Sequence, residues 1–372
     1  MRVTRRWLWA ALAGLLLPIT AQAQGMDAVD AAFQAWVTQH RVSHAVLAVA
    51  RNRRLVFARG YGGIEPAAPV LLASLSKAIT GACVGTLVDA GKLGFDTPAG
   101  TALAPFFQRH GEPADPRLKQ ATVAHLLAHR TGFDRGGGDP ATGPALSDHL
   151  ASHPVRDPAM TSLAVRTLKQ KLSENPGQTY HYTNATYLLL GVAIEIASGR
   201  PYEDYCRDAV LRPFGIEGAR LDPVWGGVLS SFGGWRMSGP QYLRFMEAFA
   251  VDSKVLGARA KAYLAEGEGK WFNDRREIHY GLGTFVRPTA NGHNVWHSGA
   301  WVYRYSNTMN RNLNESVGTY AVSLANGTQW FAYYTPKPAD GQVLDLDRTV
   351  TRALNAVTAW PDVDLYPQYG LR

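Results

Sequence analysis

"LLASLSKAITGACVGTLVDAGKLGFDTP", running from Leu71 to Pro98, sets two serines and a lysine at the mouth of an apolar stretch. Beyond Lys77 the apolar residues Ile79, Cys83, Leu87 and Val88 recur at helical spacing, which predicts an amphipathic helix facing a core. Serine is a common N-cap, so the simplest reading has Ser74 or Ser76 capping the helix and Lys77 in solvent. The second reading is chemical. If Ser74 opens the helix, Lys77 lies three residues on and shares its face. An ammonium beside a hydroxyl lowers the cost of deprotonating it, and a partly desolvated lysine can itself act as a base.

Around this stretch the texture of the chain changes twice. His44 to Gly62, "HAVLAVARNRRLVFARGYG", reads as two strands about a polar turn at Arg51 to Arg54. From about Thr101 to Met246 come helical segments broken by Pro/Gly loops, of which "DRGGGDPATGP" (Asp134 to Pro144) is the richest in glycine. After Tyr280 the segments "YGLGTFVRP", "NVWHSGAW" and "GTYAVSLANG" read as strands, and "DLDRTVTRALNAVTA" (Asp345 to Ala359) as a last helix. Strands at both ends with helices between predict an α/β fold of the α+β type. An antiparallel sheet with flanking helices would come from about residues 24–75 and 240–372, with a mostly helical lobe inserted at about 76–239. The cleft between the lobes is the expected site.

The N-terminus carries a positive region (Arg2, Arg5, Arg6), an apolar run from Trp7 to Leu17 and a small-residue site at Ala21-Gln22-Ala23. This pattern predicts a signal peptide over residues 1–23 and a periplasmic or secreted product with no membrane span after cleavage. The formal charge is +8. Three of those charges lie in the leader, which leaves 8 − 3 = +5 on scattered residues, so a nucleic-acid partner finds no support. Cys83 and Cys206 are the two cysteines. Their apolar surroundings suggest two buried thiols, while export allows a disulfide.

Two further motifs follow the Ser74-x-x-Lys77 stretch in chain order. Tyr182-Thr183-Asn184 stands in the loop "NPGQTYHYTNATY", before another apolar helix, and His297-Ser298-Gly299 stands in a strand. By the strand period of two, His297 and Gly299 share a face, and glycine lets a substrate approach the backbone closely. With the flanks "HLLAHRTGF" (125–133), "YTNATYLLLGVAIEIASGRPYEDYCRDAVLRPFGI" (182–216) and "FGGWRMSGPQYLRFM" (232–246), the chain resembles the serine β-lactamase and penicillin-binding protein superfamily. It is most similar to the branch of class C β-lactamases, D-Ala-D-Ala carboxypeptidases, D-aminopeptidases and related carboxylesterases.

The resemblance implies a β-lactamase-like fold and an acyl-transfer mechanism on a small-molecule or short-peptide substrate. Ser74 would attack the carbonyl, Lys77 would assist, and Tyr182 would be general base and later acid. A phenol near its ordinary pKa of about 10 needs adjacent cations for that task. Asn184 would hold Lys77 and a substrate amide, and the N–H groups of Ser74 and Ala300 would form the oxyanion hole. No metal or organic cofactor is implied.

The third motif departs from the class C β-lactamases, which carry Lys-Thr-Gly there. A lysine is a permanent cation for a β-lactam or peptide carboxylate, whereas an imidazole is only partly charged near neutrality. The expected substrate is therefore an ester or a D-amino-acid peptide or amide bond. A β-lactamase, or a penicillin-binding sensor with little turnover, is the alternative. Trp301, Tyr303 and Tyr305 in "AWVYRYSNTMN" either line an acyl pocket or pack between strands. His125 and His129 have the spacing of metal ligands on a helix, but no third ligand accompanies them. A Gly-x-Ser-x-Gly elbow is absent, which argues against an α/β-hydrolase.

Overall fold

A computed structural model describes residues 25–133, 139–154, 160–268, 272–306 and 313–371. The expected signal peptide and part of the Asp134–Pro144 loop lie outside the described residues.

Seven antiparallel strands form the main sheet in the order β2-β1-β10-β9-β8-β7-β6. They are β1 (His44–Arg51), β2 (Arg54–Tyr61), β6 (His279–Gly281), β7 (Thr284–Thr289), β8 (Gly292–Tyr305), β9 (Leu313–Ser323) and β10 (Thr328–Thr335). Strands from both ends of the chain thus meet as neighbours, with β1 paired to β10 from His44↔Thr335 to Arg51↔Thr328. The β1–β2 turn is tight because Asn52 and Arg53 both take positive φ, 49° and 65°, the twist that suits a two-residue hairpin. A small second sheet joins β3 (Val70–Leu71), β5 (Trp235–Met237) and β4 (Arg220–Leu221) in that order.

The sheet is covered on both sides, and β1 shows how the pleat divides it. Leu47 and Val49 enter one core with Val29, Phe33 and Trp36 of the N-terminal helix Met26–Gln39, and with Leu346 and Val350 of the helix Asp340–Asn355. Val46, Ala48 and Ala50 point the other way, into the large core shared with the helices between residues 76 and 266. Two-sided burial explains why β1 reads as a nearly continuous apolar run. The last helix starts at Asp340, five residues ahead of its sequence-based start, and ends at Asn355.

The stretch that opened the reading forms a short 3-10 turn, Ala73–Leu75, running into the helix Ser76–Asp89. Two expectations are corrected here. The helix is not amphipathic: from Ser76 to Val88 every residue but Thr86 is buried, so it runs through the core rather than along it. Nor does either serine cap it, since no side chain caps its N-terminus and Ser76 Oγ instead accepts from the Trp235 N–H at 3.1 Å. Gly81 permits the tight seating. A Cβ there would fall 2.1 Å from the Leu282 carbonyl, in the β6–β7 turn. The reading of two buried thiols is also corrected, because Cys83 and Cys206 are joined in a disulfide with Cα atoms 5.5 Å apart. No described helix is long and apolar enough to cross a membrane.

Candidate active site

Ser74 is held in place by its backbone surroundings. Ala73 takes φ +48°, a conformation L-residues rarely adopt and one that the neighbouring structure must impose. The flanking groups are pinned from three elements. Leu72 N–H donates to Trp235 O at 2.9 Å, Thr319 Oγ1 donates to Leu72 O at 2.7 Å, and Tyr242 Oη donates to Leu75 O at 3.1 Å. The result presents a half-buried Ser74 at the end of a buried helix.

Lys77 has no exposed surface. Its ammonium donates to Ser74 Oγ at 3.2 Å, to Asn184 Oδ1 at 2.7 Å and to the Phe232 carbonyl at 2.9 Å. Three donors meet three acceptors, which offsets the cost of burying the charge. The rings of Tyr182, Tyr187 and Phe232 also lie about it, that of Tyr182 with its centroid 4.9 Å from Nζ. The first and second motifs, 107 residues apart, thus converge on one nitrogen.

The third motif closes the site from β8. His297 and Gly299 pair with Ala321 and Thr319 of β9 and lie on one face, as the strand period requires. Gly299 could not be another residue without movement: a Cβ there would lie 2.2 Å from Thr319 Oγ1, 2.5 Å from Leu72 O and 3.1 Å from Ser74 N. The strand therefore runs directly against the Ser74 turn, with Ala300 next in line, paired with Gly318. Farther along the same face the rings of Trp301 and Tyr303 lie nearly parallel with centroids 5.4 Å apart, and the ring of Trp225 stands edge-on to both with centroids at 5.3 Å. Both rings pack on an aromatic from another element, at the near end of the face that carries Gly299.

His297 differs from expectation. It is 4% exposed, and burial together with the nearby Lys77 pushes its imidazole down to about 3. Both effects favour the neutral ring, where the sequence alone suggests a partly charged one. His125 and His129 do not share a helical face either. Their helix, Val123–Leu127, ends before His129, which takes φ +56°. His125 completes a capping box with Thr122, while His129 packs on Tyr182 at 4.4 Å and meets the Thr186 hydroxyl at 2.9 Å.

Two contributors escaped the sequence reading. Asp139 is buried, and its carboxylate accepts from Ala141 N–H at 2.9 Å and from Asn184 N–H at 2.6 Å. It thereby fixes the N-terminus of the helix Asn184–Ser198 that carries Asn184. The Asp-Pro pair in a glycine-rich loop was a signal for the local turn, though not for the distant contact. The other is Tyr280, whose hydroxyl lies 2.8 Å from His297 Nε2.

Known proteins resemble the chain in sequence and in fold. A family model described as Beta-lactamase matches residues 29–344. The chain is 28% identical over 200 residues to Esterase EstB of Burkholderia gladioli, covering 50% of this chain and 49% of that protein. It is 22% identical over 266 residues to a putative penicillin-binding protein PbpX of Bacillus subtilis (strain 168), covering 64% and 61%. These alignments span about half to three-fifths of the relatives' lengths. Among solved structures, a D-stereospecific amidohydrolase from Streptomyces sp. superimposes with a TM-score of 0.69 over 86% of this chain and 97% of that one, at 16% identity. That likeness speaks for the shared fold. With a family model matching most of its length and a shared fold, this chain belongs to the beta-lactamase family.

Proposed function

We propose that the chain is an exported serine hydrolase that transfers acyl groups through Ser74, acting on esters or D-amino-acid amide bonds in preference to β-lactams. One observation carries the reading: the Lys77 ammonium donates at once to Ser74 Oγ and Asn184 Oδ1, while β8 abuts the Ser74 backbone at Gly299.

In the first half-reaction Ser74 Oγ bonds to the substrate carbonyl carbon as its own proton passes to Tyr182, which acts in the phenolate form that the adjacent Lys77 ammonium favours. The carbonyl π pair moves onto oxygen, which the N–H groups of Ser74 and Ala300 receive. Collapse of this intermediate expels the alcohol or amine, which takes the proton back from Tyr182, and leaves an acyl-enzyme. Water then attacks the ester in the same sequence and releases the acid. Lys77 keeps a positive charge beside Ser74 Oγ and beneath the Tyr182 ring at each stage. Trp225, Trp301 and Tyr303 form an apolar wall on the Gly299 face for an acyl or leaving group. The Cys83–Cys206 disulfide accords with an oxidising compartment outside the cytoplasm.

Steady-state kcat/KM for p-nitrophenyl esters, D-amino-acid amides, a D-Ala-D-Ala peptide and a penicillin tests the reading. Esters or D-amides turn over fastest, and Tyr182→Phe lowers that turnover by about 10² to 10⁴ with little change in KM. A penicillin hydrolysed faster than any ester or amide overturns the substrate preference. Stoichiometric acylation without turnover of any substrate makes the chain a sensor.

A further inference from the structure

In the class C β-lactamases that the chain resembles, the third motif brings a lysine's charge to the substrate, whereas here the side chain in that place is buried and bonded at both ring nitrogens. His297 Nδ1 lies 2.5 Å from the Ser298 carbonyl oxygen, and Nε2 lies 2.8 Å from the Tyr280 hydroxyl. A carbonyl can only accept, so Nδ1 carries the proton and donates it. In a neutral ring Nε2 is then the acceptor, and the Tyr280 O–H supplies its hydrogen bond. The phenyl ring of Phe285 stacks on the imidazole with centroids 5.5 Å apart, fixing its plane.

The neighbours favour this neutral form. Lys77, from the helix Ser76–Asp89, repels a second cation. Tyr182, from the loop before Asn184, faces the ring at 6.0 Å between centroids. Tyr280, from β6, is itself buried among Tyr180, Tyr182 and Tyr187, which keeps its phenol protonated and able to donate. Tyr187 directs its own hydroxyl proton to Leu127 O at 3.0 Å.

We infer that Tyr280 is a positioning residue that locks His297 as the neutral Nδ1–H tautomer, so that the third motif supplies shape rather than charge and the site takes substrates that are uncharged where a Lys-Thr-Gly site would bind a carboxylate. This rests on the acyl-transfer reading above and narrows its substrate class to neutral esters and amides.

The test has two readouts on the full-length protein. In protein labelled with 15N-histidine, with the His297 signal assigned by its loss in His297→Gln, Nε2 should stay pyridine-like and Nδ1 pyrrole-like from about pH 5 to 8, across the ordinary imidazole pKa. In Tyr280→Phe that fixed pattern should be lost, with mixed tautomers or a titrating ring in its place. This readout is independent of activity, so it stands even if the acyl-transfer reading fails. The second readout is kcat/KM against pH for a neutral aryl ester and for the same ester with a carboxylate on its leaving group. The two profiles should run parallel in the wild type, with the neutral ester favoured throughout. A His297 ring doubly protonated near pH 6 overturns the inference. So does a kcat/KM for the carboxylated ester that rises, relative to the neutral one, as pH falls through about 6.5. Should Tyr280→Phe fail to fold, the wild-type spectra and profiles decide the matter alone.

Discussion

Ser74 and Ser76 stand two residues apart, and their surroundings give them opposite duties. Ser74 Oγ faces the Lys77 ammonium, whereas Ser76 is fully buried and its hydroxyl accepts the Trp235 N–H. Ser76→Ala orphans that buried donor and should destabilise the fold by about 1–3 kcal/mol, leaving the chemistry at Ser74 in place. Urea denaturation and kcat on one ester check this: the midpoint falls while kcat stays close to wild type. A kcat loss as deep as that of Ser74→Ala would contradict it. The spacing of Ser74 to Lys77 was legible in the sequence because three residues of helix bring the two together. The charge state of His297 was not, since a tyrosine on another strand and the surrounding burial set it. Asp139 was equally hidden, its partner Asn184 lying 45 residues away.

At the scale of elements, the strands and their order along the chain were readable from alternation and turn residues, as β1 and β2 about Asn52-Arg53 show. The helix Ser76–Asp89 was placed correctly but misread as one-faced. Only its packing partners, the Leu282 turn on one side and the helix Asn184–Ser198 among others on the other, reveal that it is buried all round. The N-terminal helix Met26–Gln39 was passed over, although Met26, Val29, Phe33, Trp36 and Val37 recur at helical intervals. The disulfide ties the helix Ser76–Asp89, through Cys83, to Cys206 across 123 residues of chain. In the chain-entropy view, closing so long a loop constrains the unfolded state strongly, and its loss typically costs 2–5 kcal/mol, or about that here. The double variant Cys83→Ser, Cys206→Ser should therefore unfold at clearly lower denaturant than the oxidised wild type. Coincident unfolding curves would mean that the bridge does not form in the native protein.

For the whole molecule, the sheet gathers strands from both ends of the chain, and three histidines lie on it: the buried His279 on β6 and, on β8, the half-buried His293 and the buried His297. Burial lowers the pKa of each, with Lys77 adding to the effect at His297. The unfolded chain takes up these protons below about pH 6.5 while the folded chain does not. The stability they contribute is thus fully present above that pH and declines as pH falls toward the folded value, about 3 for His297. Denaturation midpoints measured from about pH 8 down to about pH 4 should be level at first and then fall steadily below about 6.5. A midpoint that stays level across the acid half of that range would show that these rings titrate normally. The family and its fold were legible at this scale because three short motifs keep their order along nearly the whole chain. The preference among acyl substrates was not, because it depends on how distant aromatics and a buried imidazole meet.

The central claim is that Ser74 becomes covalently acylated. Intact-mass and peptide-mapping spectrometry after incubation with a serine-directed aryl phosphonate addresses it directly. One adduct per chain is expected in the wild type, carried by the peptide containing Ser74, retained in Ser76→Ala and absent from a folded Ser74→Ala protein. An adduct that persists in Ser74→Ala, or that maps to any other residue, would contradict it.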